Sequence, residues 1–241
     1  MAEPRLRGRI GVVTGGGKGL GRALVRALAE DGADVAFSYR DSGSAAEATA
    51  RALRSSGRRT FVAKADARIP GQMAGFVEAA AGALGGLDFL VNNVGVFRPF
   101  SLEEISEEAL DEAFDVNVKA AVMAARAAAP HLRQRGGAIV NVASLGGLRP
   151  WKSYLPYCAS KAALVMATEC LALLLAPEIR VNAVAPGILE PPGADEGLRR
   201  RIPAGRFGSH AEAVEAVMFL LAGAGYTTGE VVRVDGGRAL R

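Results

Sequence analysis

Tyr157 and Lys161 stand four residues apart in a stretch with helical periodicity. That spacing puts both side chains on one helix face, about 6 Å apart along the axis. An ammonium beside a phenol favours the phenolate. Bringing the phenol from near 10 to near 7 takes about 4 kcal/mol of differential stabilisation and gives a group that exchanges a proton at neutral pH. Ser144 lies thirteen residues before Tyr157, at the end of a β-rich run. In an open α/β sheet the carboxyl ends of the strands face the ligand crevice. There the Ser144 hydroxyl could hold a carbonyl or alcohol oxygen beside Tyr157, although Ser also serves as a plain turn residue.

A second cluster occupies the amino-terminal end. The run Thr14-Gly15-Gly16-Gly17-Lys18-Gly19-Leu20-Gly21 follows a short apolar run and leads straight into a helical pattern. Glycines let the backbone approach a pyrophosphate closely, and the helix N-terminus offers free N–H groups and a positive dipole end. The next strand should end near the adenosine ribose, where a carboxylate accepts from a free 2′-hydroxyl. Here the strand end reads Ser38-Tyr39-Arg40, with Arg40 nineteen residues after Gly21. A guanidinium there, with Lys18 nearby, favours a 2′-phosphate and therefore NADP(H); Asp41 turning inward is the alternative.

The elements that must position these groups are legible as alternation. Short β-rich runs occur at Ile10–Thr14, Asp34–Tyr39, Thr60–Ala65, Leu87–Asn92, Ala138–Ser144, Ile179–Ala185 and Glu230–Asp235, and several are almost continuously apolar. Strands buried on both faces read this way. Helical patterns lie between them, beginning with Leu20, Leu24, Ala27 and Leu28 ahead of Gly32. Others cover Ser44–Ser56, Gly71–Ala83, Glu107–Arg135, Cys158–Leu175 and Ala211–Leu221. The alternation predicts an α/β protein: a three-layer, doubly wound Rossmann fold with a seven-stranded parallel sheet, in a single domain over residues 1–241. Gly187–Ser209, rich in Pro, Gly and Arg, is a candidate lid or a plain connection.

The 241 residues carry 29 Lys+Arg against 25 Asp+Glu, and half are hydrophobic. This excludes a disordered chain, and the basic excess is too dispersed for a nucleic-acid site. Cys158 and Cys170 are too far apart along one helix for a disulfide, so a cytoplasmic setting is expected. No apolar run approaches a membrane span, and His131 and His210 have no ligand partners nearby in sequence, so neither membrane nor metal is expected.

Together the motifs resemble the short-chain dehydrogenase/reductase family over essentially the whole chain. Thr14, Gly15, Gly19 and Gly21 meet its Thr-Gly-x-x-x-Gly-x-Gly, and Asn92-Asn93-Val94-Gly95 its Asn-Asn-Ala-Gly, with Val for Ala. The resemblance implies that Asp66 and Ala67 line the adenine and that Asn93, with Val94 and Gly95, lies under the cofactor. It implies that Pro186-Gly187, with Ile188 next, flanks the nicotinamide. It further implies a catalytic set of Ser144, Tyr157 and Lys161, completed by Asn117, which holds a relay water. The implied activity is NADPH-dependent hydride transfer to a carbonyl substrate, with Tyr157 as proton donor and Lys161 lowering its pKa while touching the ribose. The subgroups that look nearest are 3-oxoacyl-acyl-carrier-protein reductase-like, with Arg135 at a carrier-docking position, and pteridine reductase-like, reducing a C=N bond. A non-catalytic NADP(H) sensor is the reading from another class. Two departures stand out: no Thr follows Pro186-Gly187 closely, and Val94 narrows the floor. Phe97, Phe100 and Trp151 are candidate pocket residues. The resemblance also implies pairing of the long apolar helices in a homotetramer or homodimer.

Overall fold

The computed structural model describes residues 4–189 and 196–240. Seven strands form one parallel sheet: β1 (Ile10–Val13), β2 (Asp34–Tyr39), β3 (Thr60–Lys64), β4 (Phe89–Asn92), β5 (Ala138–Val142), β6 (Arg180–Pro186) and β7 (Val231–Val234). Their spatial order is β3-β2-β1-β4-β5-β6-β7. The interior strands β1, β4 and β5 are buried at every position, as their unbroken apolar character requires, whereas β3 and β7 are half-covered edges. Successive side chains serve opposite faces. Val13, Phe89 and Val91 enter one core, with α1 (Gly19–Glu30), α2 (Gly43–Ser55) and α8 (His210–Met218). Val12 and Leu90 enter the other, with α3 (Gln72–Leu84), α5 (Ala120–Arg133) and α6 (Leu155–Leu175).

The chain runs from β1 outward to β3 and then crosses back to β4, so the order reverses between β1 and β4. Such a reversal opens a crevice beyond the carboxyl ends of the two strands. The glycine turn follows β1 there, and Asn93-Val94-Gly95 follows β4.

Three expected elements differ from their sequence patterns. Glu107–Arg135 is not one helix: α4 (Glu107–Phe114) passes through a single π turn, Asp115–Lys119, into α5. Apolar periodicity runs through such a turn, so the pattern conceals it. The sixth helix begins at Leu155 rather than Cys158, with Pro156 in its first turn. The last begins at His210, capped by Ser209 and Glu212, and passes into a π turn after Met218. Within the candidate lid, Leu189 bridges Gly208 and a short α7 (Glu196–Arg199) forms; residues 190–195 of that segment lie outside the described residues.

A buried polar ladder fixes α6 against the sheet. Asn92 Nδ2 donates to Asn141 Oδ1 at 2.9 Å, and Asn141 Nδ2 donates to Thr168 Oγ1 at 2.9 Å. Among the described residues α6 is the one helix long and apolar enough to cross a membrane by length and composition, a property the sequence pattern did not lead us to expect. Here its inner side carries Ser160, Lys161, Leu164 and Thr168 into the protein, while Leu155, Met166, Leu173 and Leu174 stay exposed.

Candidate active site

A groove of about 510 Å³ lies over the β1–β4 crevice. Thirteen of the expected cofactor residues line it: Gly15, Gly17, Lys18, Gly19, Leu20, Gly21, Tyr39, Arg40, Asp66, Ala67, Asn93, Val94 and Gly95. Two glycines are required by close approach. Gly15 has φ +72 and packs against Val94, and a Cβ on Gly21 would lie 2.1 Å from the Gly15 carbonyl oxygen. The turn is tied down from both sides. The Gly15 N–H donates to Ser38 Oγ at 3.0 Å, and Asn93 Nδ2 donates to the carbonyls of Thr14 and Gly15 at 3.0 and 3.1 Å. Asn93 thus acts here by shaping the turn. Lys18 caps α1 without a side-chain hydrogen bond, and no acidic residue occupies the first turn. The N–H groups and dipole end of α1 are therefore left for an anion.

The end of the groove expected to take adenosine carries Arg40, Asp41, Asp66 and Arg68. Arg40 Nε pairs with the Asp41 carboxylate, which leaves the guanidinium's Nη fork able to take a phosphate. Asp66 accepts from Arg68 through Nε, Nη2 and the backbone N–H. The Arg68 guanidinium holds the Asp66 carboxyl below the usual carboxylate range. Asp41, Ser42, Arg68, Val96 and Val116 also line the groove. Sequence reasoning weighed Asp41 only as a rival to Arg40 and missed Arg68, whose signal was its place two residues beyond Asp66.

Gly95 lies between this groove and the expected catalytic residues Asn117 and Lys161. A Cβ on it would lie 3.1 Å from Asn117 Oδ1 and 3.5 Å from Lys161 Nζ. Asn117, fully buried in the π turn, accepts from the Val96 N–H at 2.8 Å. Its Nδ2 donates to the Val96 carbonyl at 3.2 Å and to Ser160 Oγ at 2.9 Å. The Asn117 side chain thus locks the Val96 segment to α6, with both amide hydrogens donated and Oδ1 accepting from Val96. Lys161 is 4% exposed, and its Nζ donates to the Val142 carbonyl at 2.7 Å. Burial lowers its pKa to about 8.

Ser144 lies two residues beyond β5 and caps a short 3₁₀ turn, accepting from the Gly146 N–H at 3.0 Å. Burial pushes the Tyr157 phenol up, and the nearby Ser144 hydroxyl opposes it. The Lys161 ammonium is directed at the Val142 carbonyl, and burial is the largest influence on the Tyr157 phenol. Pro186, Gly187 and Ile188 end β6 on the same edge of the sheet, where the Gly187 N–H donates to the Val234 carbonyl at 2.9 Å, but they do not line the main groove. His131 Nε2 lies 3.0 Å from Glu78, and no metal-binding group of three or more His, Cys, Asp or Glu occurs among the described residues.

Comparison with known proteins bears on the same residues. A family model described as Enoyl-(Acyl carrier protein) reductase matches residues 15–239. An uncharacterised oxidoreductase of Methylorubrum extorquens is 38% identical over 97% of this chain and 98% of its own length. The 3-oxoacyl-[acyl-carrier-protein] reductase FabG of Staphylococcus aureus is 34% identical over 94% and 96%. A short-chain dehydrogenase from Burkholderia cenocepacia, solved in complex with NADP, superposes with a TM-score of 0.93 at 37% identity, covering 97% of this chain and 99% of that one. With the seven-stranded parallel sheet and the glycine turn at its switch point, these matches place the chain in the short-chain dehydrogenase/reductase family, as an oxidoreductase.

Proposed function

We propose that the protein is an NADPH-dependent carbonyl reductase in which Ser144, Tyr157, Lys161 and Asn117 form the catalytic set. The observation that carries this reading is the position of Gly95, which floors the cofactor groove and meets both Asn117 and Lys161. The residues fit a dinucleotide phosphate: a helix start without a side-chain cap, a turn closed tightly on itself at Gly21, and Arg40 with Lys18 for the 2′-phosphate. Bound NADPH supplies the hydride to the substrate carbon.

The chain's own residues do the rest. Ser144 orients the substrate oxygen beside Tyr157. Tyr157 gives its hydroxyl proton to that oxygen as the C=O becomes C–OH, and a phenol with a raised pKa is reliably protonated before the transfer. Lys161, with a pKa of about 8, returns a proton to the phenolate and is itself reprotonated through the backbone at Asn117, in the π turn. Pro186, Gly187 and Ile188 border the nicotinamide end.

A free ketone suits the site better than a carrier-bound thioester. Arg135 donates to Asp88 at 3.2 Å and to the Gly85 carbonyl at 3.0 Å. Both partners precede β4, at the amino ends of the strands and away from Tyr157 on the same chain. The exposed apolar stripe of α6 fits pairing with a second copy in a dimer or tetramer, and two free thiols fit a cytoplasmic setting.

The test is consumption of NADPH, followed by its absorbance, against a panel of ketones, for the protein and for Tyr157→Phe. At least one ketone should be reduced, with a loss of about 10³-fold or more on removal of the hydroxyl, more than one general acid alone contributes because the hydroxyl also orients the oxygen. NADPH binding without turnover of any ketone, unchanged by the substitution, overturns the reductase reading in favour of a sensor.

A further inference from the structure

Four aromatic rings, Phe97, Trp151, Tyr154 and Tyr157, form one cluster. Phe97 lies edge-on to Tyr157 with centroids 4.7 Å apart and stacks on Tyr154 at 4.5 Å with planes 4° apart. Trp151 lies 6.1 Å from Tyr157 at an interplanar angle of 25°, and the Arg238 guanidinium sits 5.3 Å from its ring centre. The loop presenting these rings is held in an uncommon shape. Ser153 has φ +68, a conformation non-glycine residues seldom adopt, and its carbonyl accepts from the Phe100 N–H at 2.7 Å, strapping the two aromatic segments together. Gly146 leaves the space: a Cβ there would lie 3.1 Å from the Tyr157 ring and 3.4 Å from both Cys158 Sγ and the Trp151 ring.

Phe97 does not behave as a packing residue. One face is covered by Tyr154, yet the side chain remains 55% exposed beside the proton donor. A solvent-facing aromatic surface at that place gains stacking contact only when a flat group settles on it. A carbonyl oxygen hydrogen-bonded to Tyr157 puts the carbon attached to it within a few ångströms of the Phe97 ring. A planar ring carried directly on that carbonyl therefore reaches Phe97, whereas a flexible acyl chain has no face to offer.

We infer that Phe97, backed by Tyr154, is a stacking platform that selects substrates whose carbonyl is borne on a flat, conjugated ring: aryl ketones and related cyclic conjugated carbonyl compounds. This rests on the reductase reading above, so its test separates the two. The probes are methyl 2-naphthyl ketone and its saturated analogue, methyl decahydronaphthyl ketone, which share the acetyl group and differ in flatness. Conjugation makes the aryl ketone the less electrophilic of the pair, so a preference for it comes from the protein. The ratio of kcat/KM, aryl to saturated, should be tenfold or more. Phe97→Ala should bring the ratio close to one, chiefly through KM for the aryl ketone, and Phe97→Tyr should keep it. Trp151 is the sole tryptophan in the chain, so quenching of its fluorescence reports aryl ketone binding without turnover. A ratio near one in the unaltered protein, or one untouched by Phe97→Ala, overturns the platform while the reductase reading stands. Quenching that is lost in Phe97→Ala, with no NADPH consumed by any ketone, supports the platform and overturns the reductase reading.

Discussion

Lys161 is held charged in a site that disfavours charge, and replacing it should make the protein more stable while disabling it. Burial moves its pKa from 10.5 to about 8, a shift worth about 3 kcal/mol against the charged folded form. The sign follows from proton counts. Between pH 8 and 10.5 the unfolded chain still binds the lysine proton and the folded chain has released it, so stability from this group rises with pH across that window and is lowest below it. Lys161→Met fills similar volume without charge. It gives up the hydrogen bond to the Val142 carbonyl, at a cost of about 1 kcal/mol, and should leave a net gain of about 2 kcal/mol at pH 7. For a chain of this length that is a rise in Tm of roughly 4–8 °C. The assay is urea unfolding of both proteins at pH 7 and pH 10, at matched concentration because subunit association shifts apparent stability. The advantage of the variant should shrink toward zero at pH 10, where the lysine is already neutral in the folded protein. A variant less stable at pH 7, or a difference identical at the two pH values, refutes the claim that a buried ammonium is being held at strain for its chemistry.

Two further outcomes test the cofactor groove. Arg40→Ala removes one cation and frees the Asp41 carboxylate to repel a 2′-phosphate, so NADPH affinity should fall about 10- to 100-fold while NADH affinity changes little, measured by cofactor fluorescence titration. Gly21→Ala puts a Cβ about 2.1 Å from the Gly15 carbonyl oxygen and should abolish NADPH binding, read as loss of the thermal upshift that the cofactor gives the unaltered protein.

The fold was legible because burial on both faces leaves its mark on composition. Val12-Val13 and Ile139-Val140 are apolar at consecutive positions, which only a strand covered by helices on both sides requires, and the alternation with helical patterns then dictates parallel pairing. The glycine turn was legible because close approach demands glycine at particular places, and Gly21 against the Gly15 carbonyl is such a place. What escaped was anything set by hydrogen bonding rather than by side-chain type. The π turn at Asp115–Lys119 keeps the apolar periodicity of its flanking helices, so nothing in the pattern separates it from them. Arg68 reaches the groove through its pairing with Asp66, and Tyr154 is placed beneath Phe97 by a contact distant in sequence beside a strained Ser153.

The spacing of Tyr157 and Lys161 puts them on one helix face, but spacing is silent about which way an ammonium points and how dry its surroundings are. Read as neighbours, the lysine should pull the phenol down toward neutrality. In the fold the ammonium turns to the Val142 carbonyl, burial lifts the phenol, and burial lowers the lysine to about 8. On the proposed reductase reading, that division suits reduction better than a shared low value would: the donor stays protonated until an oxygen bound at Ser144 takes its proton, and the amine proposed to reload it titrates at about 8. The two shifts have the same cause, removal of water by α6 docked on the sheet, and the Asn92–Asn141–Thr168 ladder holds α6 in that position. The Tyr157–Lys161 pair is thus tuned by packing about two turns along α6 from Lys161.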